Sequence, residues 1–322
     1  MQKVIVTGCA GFIGFSTAMK LINSGYQVLG IDNFEPYYNI SIKKYNVSIL
    51  LKNKNFSFYE FDLRNISKKT ISLKGFDICI HLAATPGVIP SLKNENHYFD
   101  NNLNGTINLV NTLSYFGIEK LIFGSSSSVY KNMENCSFKE DISPTIPLSP
   151  YGQTKLECET FLRKAYLQNK LNVINLRFFS VYGPYMRPDL AIYKFSKNII
   201  NQIPVNIYGD GNSERDYTYI NDVVFGIELA MNYLNNNPST FEIINLGNGN
   251  PIKLIYLLRI IEKEIDKEAI INFLQKNKFE MFQTNANLDK AKKILNYKPT
   301  IKIDDGIRFF MNWFLNKKIS TI

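Results

Sequence analysis

Short apolar runs alternate with amphipathic stretches through the first 180 or so residues. Val4–Val6, Val28–Ile31, Phe56–Phe61, Ile78–His81, Leu121–Gly124 and Val173–Arg177 are too short for helices, so each predicts a strand. Between them apolar residues recur at three- and four-residue spacing. Leu103, Ile107 and Val110, continued by Ser114, mark one such amphipathic segment, and Gly117 then supplies a residue suited to ending a helix. This alternation predicts an α/β fold, a doubly wound parallel sheet with helices on both faces. Such sheets bind ligands at the C-terminal ends of their strands. After about residue 178 the rhythm breaks, and Pro184, Pro188, Pro204, Pro251 and Pro299 punctuate shorter elements. That change predicts a smaller α/β substrate lobe lying over the sheet edge. No low-complexity linker divides the two parts, so they are expected to share an interface.

The 322 residues have a mass of 37.0 kDa, enough for two lobes and for a core that needs no disulfide or metal. Apolar residues make up 45% and charged residues 20%, which argues against disorder. No run of 18 apolar residues predicts a membrane span, and the first strand leads straight into a glycine turn without room for a signal peptide. The net charge of +9 reads as a general basic shift or as an electropositive cleft for a phosphorylated ligand. Nucleic acid is not the predicted partner, because the basic residues are scattered. Cys9, Cys79, Cys136 and Cys158 form no CxxC, and the only histidines are His81 and His97. No metal site is predicted, and the chain reads as a reduced, cytoplasmic protein.

Thr7–Gly8–Cys9–Ala10–Gly11–Phe12–Ile13–Gly14 joins a strand to a helix with glycines at 8, 11 and 14. Glycines here let the backbone approach a pyrophosphate, whose charge then meets the helix N-terminus. Asp32 follows 18 residues after Gly14, at the end of the second strand. A carboxylate there accepts hydrogen bonds from a ribose 2′-hydroxyl and repels a 2′-phosphate, so the predicted cofactor is NAD rather than NADP on a Rossmann-type fold. Asp62–Leu63, after the third strand, either meets the adenine or caps a loop. Leu82–Ala83–Ala84 ends the fourth strand with residues that pass close to the cofactor. His81 reads as a packed histidine.

Tyr151 and Lys155 lie four apart behind Ser149 and Pro150, a natural N-cap and first helical residue. They therefore share one helix face. A tyrosine acting as base near pH 7 needs its pKa lowered by about 3 units, roughly 4 kcal/mol. A neighbouring ammonium and a cationic nicotinamide are the expected means. The strand end Gly124–Ser125–Ser126–Ser127–Ser128 offers hydroxyls that can bridge a reacting alcohol and the phenol.

With these residues in view, nearly the whole chain resembles the extended short-chain dehydrogenase/reductase family, specifically its nucleotide-sugar epimerases and dehydratases. The resemblance implies that Ser126, Tyr151 and Lys155 are the Ser–Tyr–Lys triad and that Asn102 supports the triad and cofactor region. It extends the cofactor-binding set of Gly8, Gly11, Gly14, Asp32, Asp62, Leu63, Leu82, Ala83 and Ala84 to Phe12, Ile13, Asn33, Asn102, Tyr151, Lys155 and Phe178. A finer resemblance is to UDP-glucuronate 4-epimerases. It rests on Asp32–Asn39 with Ser41 and Lys43, on Leu176–Pro184 with Arg187–Pro188–Asp189, on Arg215–Asp222, and on Asn285–Thr300. It implies a UDP-sugar substrate whose diphosphate meets Arg215. Arg187 then faces the diphosphate or the sugar, or pairs with Asp189. Ser127, Ser128, Phe179 and Ser180 complete the substrate wall, the serines receiving a hexuronate carboxylate.

A 4,6-dehydratase usually carries an Asp–Glu pair where Ser127 and Ser128 stand, because eliminating water needs an extra acid and base. Plain 4-epimerisation needs one base and a reversible hydride acceptor. The predicted activity is therefore NAD-dependent 4-epimerisation of a UDP-hexuronate. The alternatives are a 4-epimerase of UDP-glucose or UDP-N-acetylglucosamine, another dehydratase or reductase on a nucleotide sugar, and a non-catalytic dinucleotide-binding module. Ile89, Lys131 and Tyr185–Met186 depart from the family's usual residues. The expected division is 1–177, with 222–245 crossing back, for NAD, and 178–221 plus 246–322 for the nucleotide sugar. The resemblance also implies a homodimer through helices near 100–116 and 152–168.

Overall fold

A computed structural model describes residues 2–130, 137–142, 147–168, 171–275 and 281–316. Lys131 and Cys136 lie outside the described residues. In chain order the first half runs β1 (Lys3–Thr7), α1 (Phe12–Asn23), β2 (Gln27–Asp32), α2 (Ile40–Leu50), β3 (Phe56–Glu60), β4 (Ile78–His81), α3 (Val88–Ser91), α4 (Glu95–Tyr98), α5 (Gly105–Tyr115), β5 (Lys120–Ser126), α6 (Pro150–Leu167) and β6 (Asn172–Phe178). The second half runs β7 (Ser180–Tyr182), α7 (Ala191–Ile200), β8 (Val205–Tyr208), β9 (Glu214–Tyr219), α8 (Ile220–Asn236), β10 (Phe241–Leu246), β11 (Pro251–Lys253), α9 (Leu254–Ile265), β12 (Ile271–Leu274), α10 (Asp289–Leu295) and α11 (Ile303–Asn316).

Seven strands form one parallel sheet in the order β10-β6-β5-β4-β1-β2-β3. The alternation of side chains along a strand explains the layers on its two faces. Val4 and Val6 of β1 pack with Phe15, Ala18 and Leu21 of α1 and with Val223 and Ile227 of α8. Ile5, pointing the other way, packs with Leu109 and Leu113 of α5 and Cys158 and Leu162 of α6. The chain builds β1, β2 and β3 toward one edge, then returns to place β4 on the other side of β1. A crevice opens at this reversal, at the C-terminal ends of β1 and β4.

The predicted strands are all present; Ile78–His81 keeps its bounds, and the others shift by one or two residues at one or both ends. β5 runs on through Ser125 and Ser126 because these pair with Arg177 and Phe178 of β6. The serine run therefore begins inside the sheet. The predicted segment from Leu103 starts earlier than α5, because Phe99–Asn104 forms a wider π-type turn before it.

A second core joins α7, α9 and α11 to β8 and β9. Phe195, Ile199, Val205, Ile207, Leu257, Ile261, Phe310 and Phe314 fill it. Two small sheets, β11-β9-β7 and β12-β8, frame this lobe beside the C-terminal ends of the large sheet. α8 and β10 lie with the large sheet, β10 as its edge strand beside β6.

Candidate active site

The glycine loop is built by necessity. Gly8 holds φ +72° and donates its N–H to the Ile31 carbonyl at 2.8 Å. A Cβ on Gly8 would stand 2.7 Å from the Ala83 nitrogen, and one on Gly14 would stand 2.1 Å from the Gly8 carbonyl oxygen. Any side chain would thus fill the cradle or push away the Leu82–Ala83 segment that follows β4. α1 begins at Gly11 with no side-chain cap and no acidic residue in its first turn, so its N-terminal N–H groups remain for an anion. Asp32, buried at the end of β2, accepts from the N–H groups of Ala10 (3.1 Å) and Phe34 (2.8 Å). Burial pushes its carboxyl pKa up, against the lowering charge of Lys43.

Asp62 does not reach the cleft wall. Arg64 grips its carboxylate, from Nη2 at 2.6 Å, and Asn33 donates to it at 3.1 Å. Hydrogen bonding to Arg64 is the largest cause holding its pKa down to about 2. Asp62 caps the turn Leu63–Asn65, the loop-cap alternative of the sequence reading, and orients Asn33, which with Leu63 does line the cleft.

Ser149 caps α6, accepting from the Gly152 N–H at 3.2 Å, with Pro150 as first residue. Lys155 is buried and donates to the Gly124 carbonyl at 2.7 Å. Its ammonium lies 4.8 Å from the Phe123 ring centroid. Burial lowers its pKa to about 8, while Cys158 and Glu159 oppose the shift. Burial pushes the Tyr151 phenol up; the Ser126 hydroxyl and the Arg187 charge act against that rise. Ser126 closes β5, its Oγ accepting from the Ser128 N–H and donating to the Ser128 Oγ, both at 3.1 Å.

Asn102 sits behind the wall. Its amide donates to the Thr85 carbonyl and the Thr154 hydroxyl, both at 3.1 Å, and its oxygen accepts from the Thr85 N–H at 2.7 Å. It therefore ties the segment after β4 to α6. His81 is buried between Thr7 and Thr106, and burial lowers its pKa to about 3, so it is a neutral packed histidine.

One cavity of about 850 Å³ brings together Gly8, Gly11, Phe12, Ile13, Gly14, Asp32, Leu82, Ala83 and Ala84 with Ser126, Ser127, Ser128, Tyr151 and Lys155. Phe178, Phe179, Ser180, Arg187 and Arg215 line it from the second half of the chain. Arg187 forms a two-point ion pair with Asp189 at 2.9 Å and lies 5.6 Å from the Tyr37 ring centroid. Arg215 donates to the carbonyls of Glu214 (2.9 Å) and Phe282 (3.2 Å). Tyr37, Tyr38 and Lys43 beside Asp32, and Lys194, Tyr208 and Tyr217 farther along the cavity, also line it without a role in the sequence motifs. Two adjacent tyrosines in the loop after a cofactor-binding strand were the available signal. Of the departures, Ile89 lines the cavity mouth. Tyr185, at φ +65°, turns out to pack on Phe15 and Trp313 at 4.5 and 5.2 Å.

The family model described as the NAD dependent epimerase/dehydratase family matches residues 4–247. The chain is 38% identical over 316 residues to a UDP-glucuronate 4-epimerase of Thermodesulfobacterium geofontis, covering 97% of this chain and 96% of that protein. Its structure resembles that of the Bacillus cereus UDP-glucuronic acid 4-epimerase in complex with UDP-glucuronic acid and NAD. The TM-score is 0.92 at 35% identity, covering 98% of this chain and 99% of the other. A UDP-glucose 4-epimerase from Thermotoga maritima, with UDP-glucose, is similar at TM-score 0.88 and 26% identity, with 98% and 99% covered.

Proposed function

We propose that this chain, which belongs to the NAD dependent epimerase/dehydratase family, is a 4-epimerase interconverting UDP-glucuronate and UDP-galacturonate. The observation that carries the reading is the cavity itself. A glycine cradle, an acid at the ribose position and the Ser126–Tyr151–Lys155 set line one cavity, and the serine run beside them holds no carboxyl group. NAD fits this chain, because the cradle excludes side chains at Gly8 and Gly14 and Asp32 stands where a ribose diol is read. When bound, NAD takes up the C4 hydride of the sugar and gives it back.

The chain's own groups handle everything else. Tyr151 takes the 4-hydroxyl proton, with Ser126 bridging, and returns it to the 4-oxygen once the sugar has turned about its bond to the diphosphate. Lys155 keeps a positive charge on the floor beneath the phenol. Arg215 takes the diphosphate, a match of fork donor to oxyanion. Ser127, Ser128 and Ser180 receive the hexuronate carboxylate, with Arg187 closing the sugar side. Asn102 and Asp62 act from behind the wall, through Thr154 and Asn33. Residues 1–177 with 222–245 serve NAD, and 178–221 with 246–322 serve the nucleotide sugar.

The protein works as a homodimer in the cytoplasm and supplies a uronate for polysaccharide synthesis. Support for a reduced compartment comes from Cys9, Cys79 and Cys158, all buried and unpaired. Among the described residues no helix is long and apolar enough to cross a membrane.

The test is a panel. The purified protein with NAD is incubated separately with UDP-glucuronate, UDP-galacturonate, UDP-glucose and UDP-N-acetylglucosamine, and products are identified by NMR. Interconversion of the two uronates alone is the expected result. Conversion of a neutral sugar alone contradicts the substrate, and points to Ile89 at the cavity mouth.

A further inference from the structure

Arg177 and Glu159 form an ion pair inside the protein, 1% and 3% exposed at their side chains. Arg177 Nε donates to Glu159 Oε1 at 2.9 Å and Nη2 to Oε2 at 2.7 Å. Ser125 donates its hydroxyl to the same Oε1 at 2.6 Å. The guanidinium lies 4.7 Å from the Tyr130 ring centroid, and Tyr130 donates to Asn245 at 2.7 Å. Arg177 Nη1 is buried without a hydrogen-bond partner. Two apolar side chains would fill this volume at less cost than a buried charge pair with an orphaned donor. None of these residues has a part in the proton and hydride steps proposed above.

Their position gives the pair a task. Ser125 precedes Ser126, Glu159 lies one helix turn beyond Lys155, and Arg177 precedes Phe178. The pair therefore bolts together the end of β5, the end of β6 and the catalytic face of α6. We propose that Glu159 and Arg177 are positioning residues of the epimerisation centre, fixing the Ser126 strand end against the helix that carries Tyr151 and Lys155. The inference rests on the 4-epimerase reading of that centre.

The bolt also carries charge. Lys155 is faced by Cys158 and Glu159 from its own helix, by the neutral His81 from β4, and by the Phe123 ring and Gly124 carbonyl of β5. Glu159 is faced by Arg177 from β6, Ser125 from β5, and Lys155 and Cys158 from α6. Glu159 supplies the carboxylate that favours a charged Lys155 in a site where burial works against it.

Two variants of the NAD-loaded protein test this. Glu159→Gln keeps size and hydrogen-bond acceptor and removes the charge; the double variant Glu159→Leu with Arg177→Met removes both charges at similar volume. Lys155 is titrated by NMR of ¹³C-labelled lysine, and kcat and KM are measured on UDP-glucuronate. Glu159→Gln should move the Lys155 midpoint down by about half a unit or more. It should lower kcat about 10- to 100-fold, the cost of a small misplacement, with KM within about threefold. The double variant should fold and show the same losses, and it carries the test if Glu159→Gln fails to fold. A double variant with wild-type kcat and an unmoved Lys155 midpoint overturns the proposal. Failure of the wild type to epimerise UDP-glucuronate overturns the substrate reading instead, and the lysine titration, which needs no turnover, still decides the positioning role.

Discussion

Tyr151 and Lys155 show how far apart two partners in one motif can be in their electrostatics. Both are driven toward neutrality by burial, the phenol by a raised pKa and the ammonium by one lowered to about 8. Tyr151→Phe keeps the ring and removes the proton carrier. It should lower kcat by about 10²- to 10⁴-fold, with NAD content unchanged by absorbance; wild-type turnover contradicts the assignment. Lys155 must be charged to act, and its folded pKa lies below its unfolded value. Activity, followed as kcat/KM, should therefore fall as pH rises through about 8. Folding stability has the opposite sign, because the unfolded chain holds the proton more tightly between that midpoint and the unfolded pKa. Stability against denaturant gains from this group as pH rises above about 8. The Tyr151–Lys155 pairing was legible because its spacing is local, four residues apart on one helix face. The Glu159–Arg177 pair was not, because it joins residues 18 apart in sequence on different elements. The clasp of Arg64 on Asp62 was not legible either, because the sequence does not reveal that the guanidinium folds back on its neighbour.

The strand–loop–helix unit of β1 and α1 is the element on which the proposed cofactor binding depends. Its glycines are required by contact as well as conformation, since a Cβ on Gly14 overlaps the Gly8 carbonyl. Gly14→Ala should yield protein free of NAD, seen as a lower ratio of absorbance at 260 to 280 nm. It should also lower stability by about 1–3 kcal/mol, the usual cost of overpacking. Retained NAD contradicts the cradle. The parallel strands were readable because strands buried on both faces are continuous apolar runs. Their ends were not. β5 continues into polar serines because the register with β6 holds them, and register is a tertiary fact. The small sheets of the second lobe were hidden for a related reason. β7 and β11 are three residues each and depend on β9 for their pairing.

Across the whole molecule, the cavity lies where the two halves of the chain face each other, and its lining is spread over residues from Gly8 to Thr284. The same architecture leaves α5 and α6 on one face of the sheet, with Tyr115 of α5 60% and Leu167 of α6 68% exposed. Association through these helices should give a species of twice the 37.0 kDa chain mass in sedimentation velocity. A single 37.0 kDa species contradicts the dimer. In the proposed reaction one hydride leaves C4 and returns to C4 without exchange with solvent. UDP-glucuronate carrying deuterium at C4, incubated with the NAD-loaded protein and followed by NMR, tests it most directly. UDP-galacturonate with the label still at C4 and none in the water is the expected result. Label lost to solvent during epimerisation contradicts it.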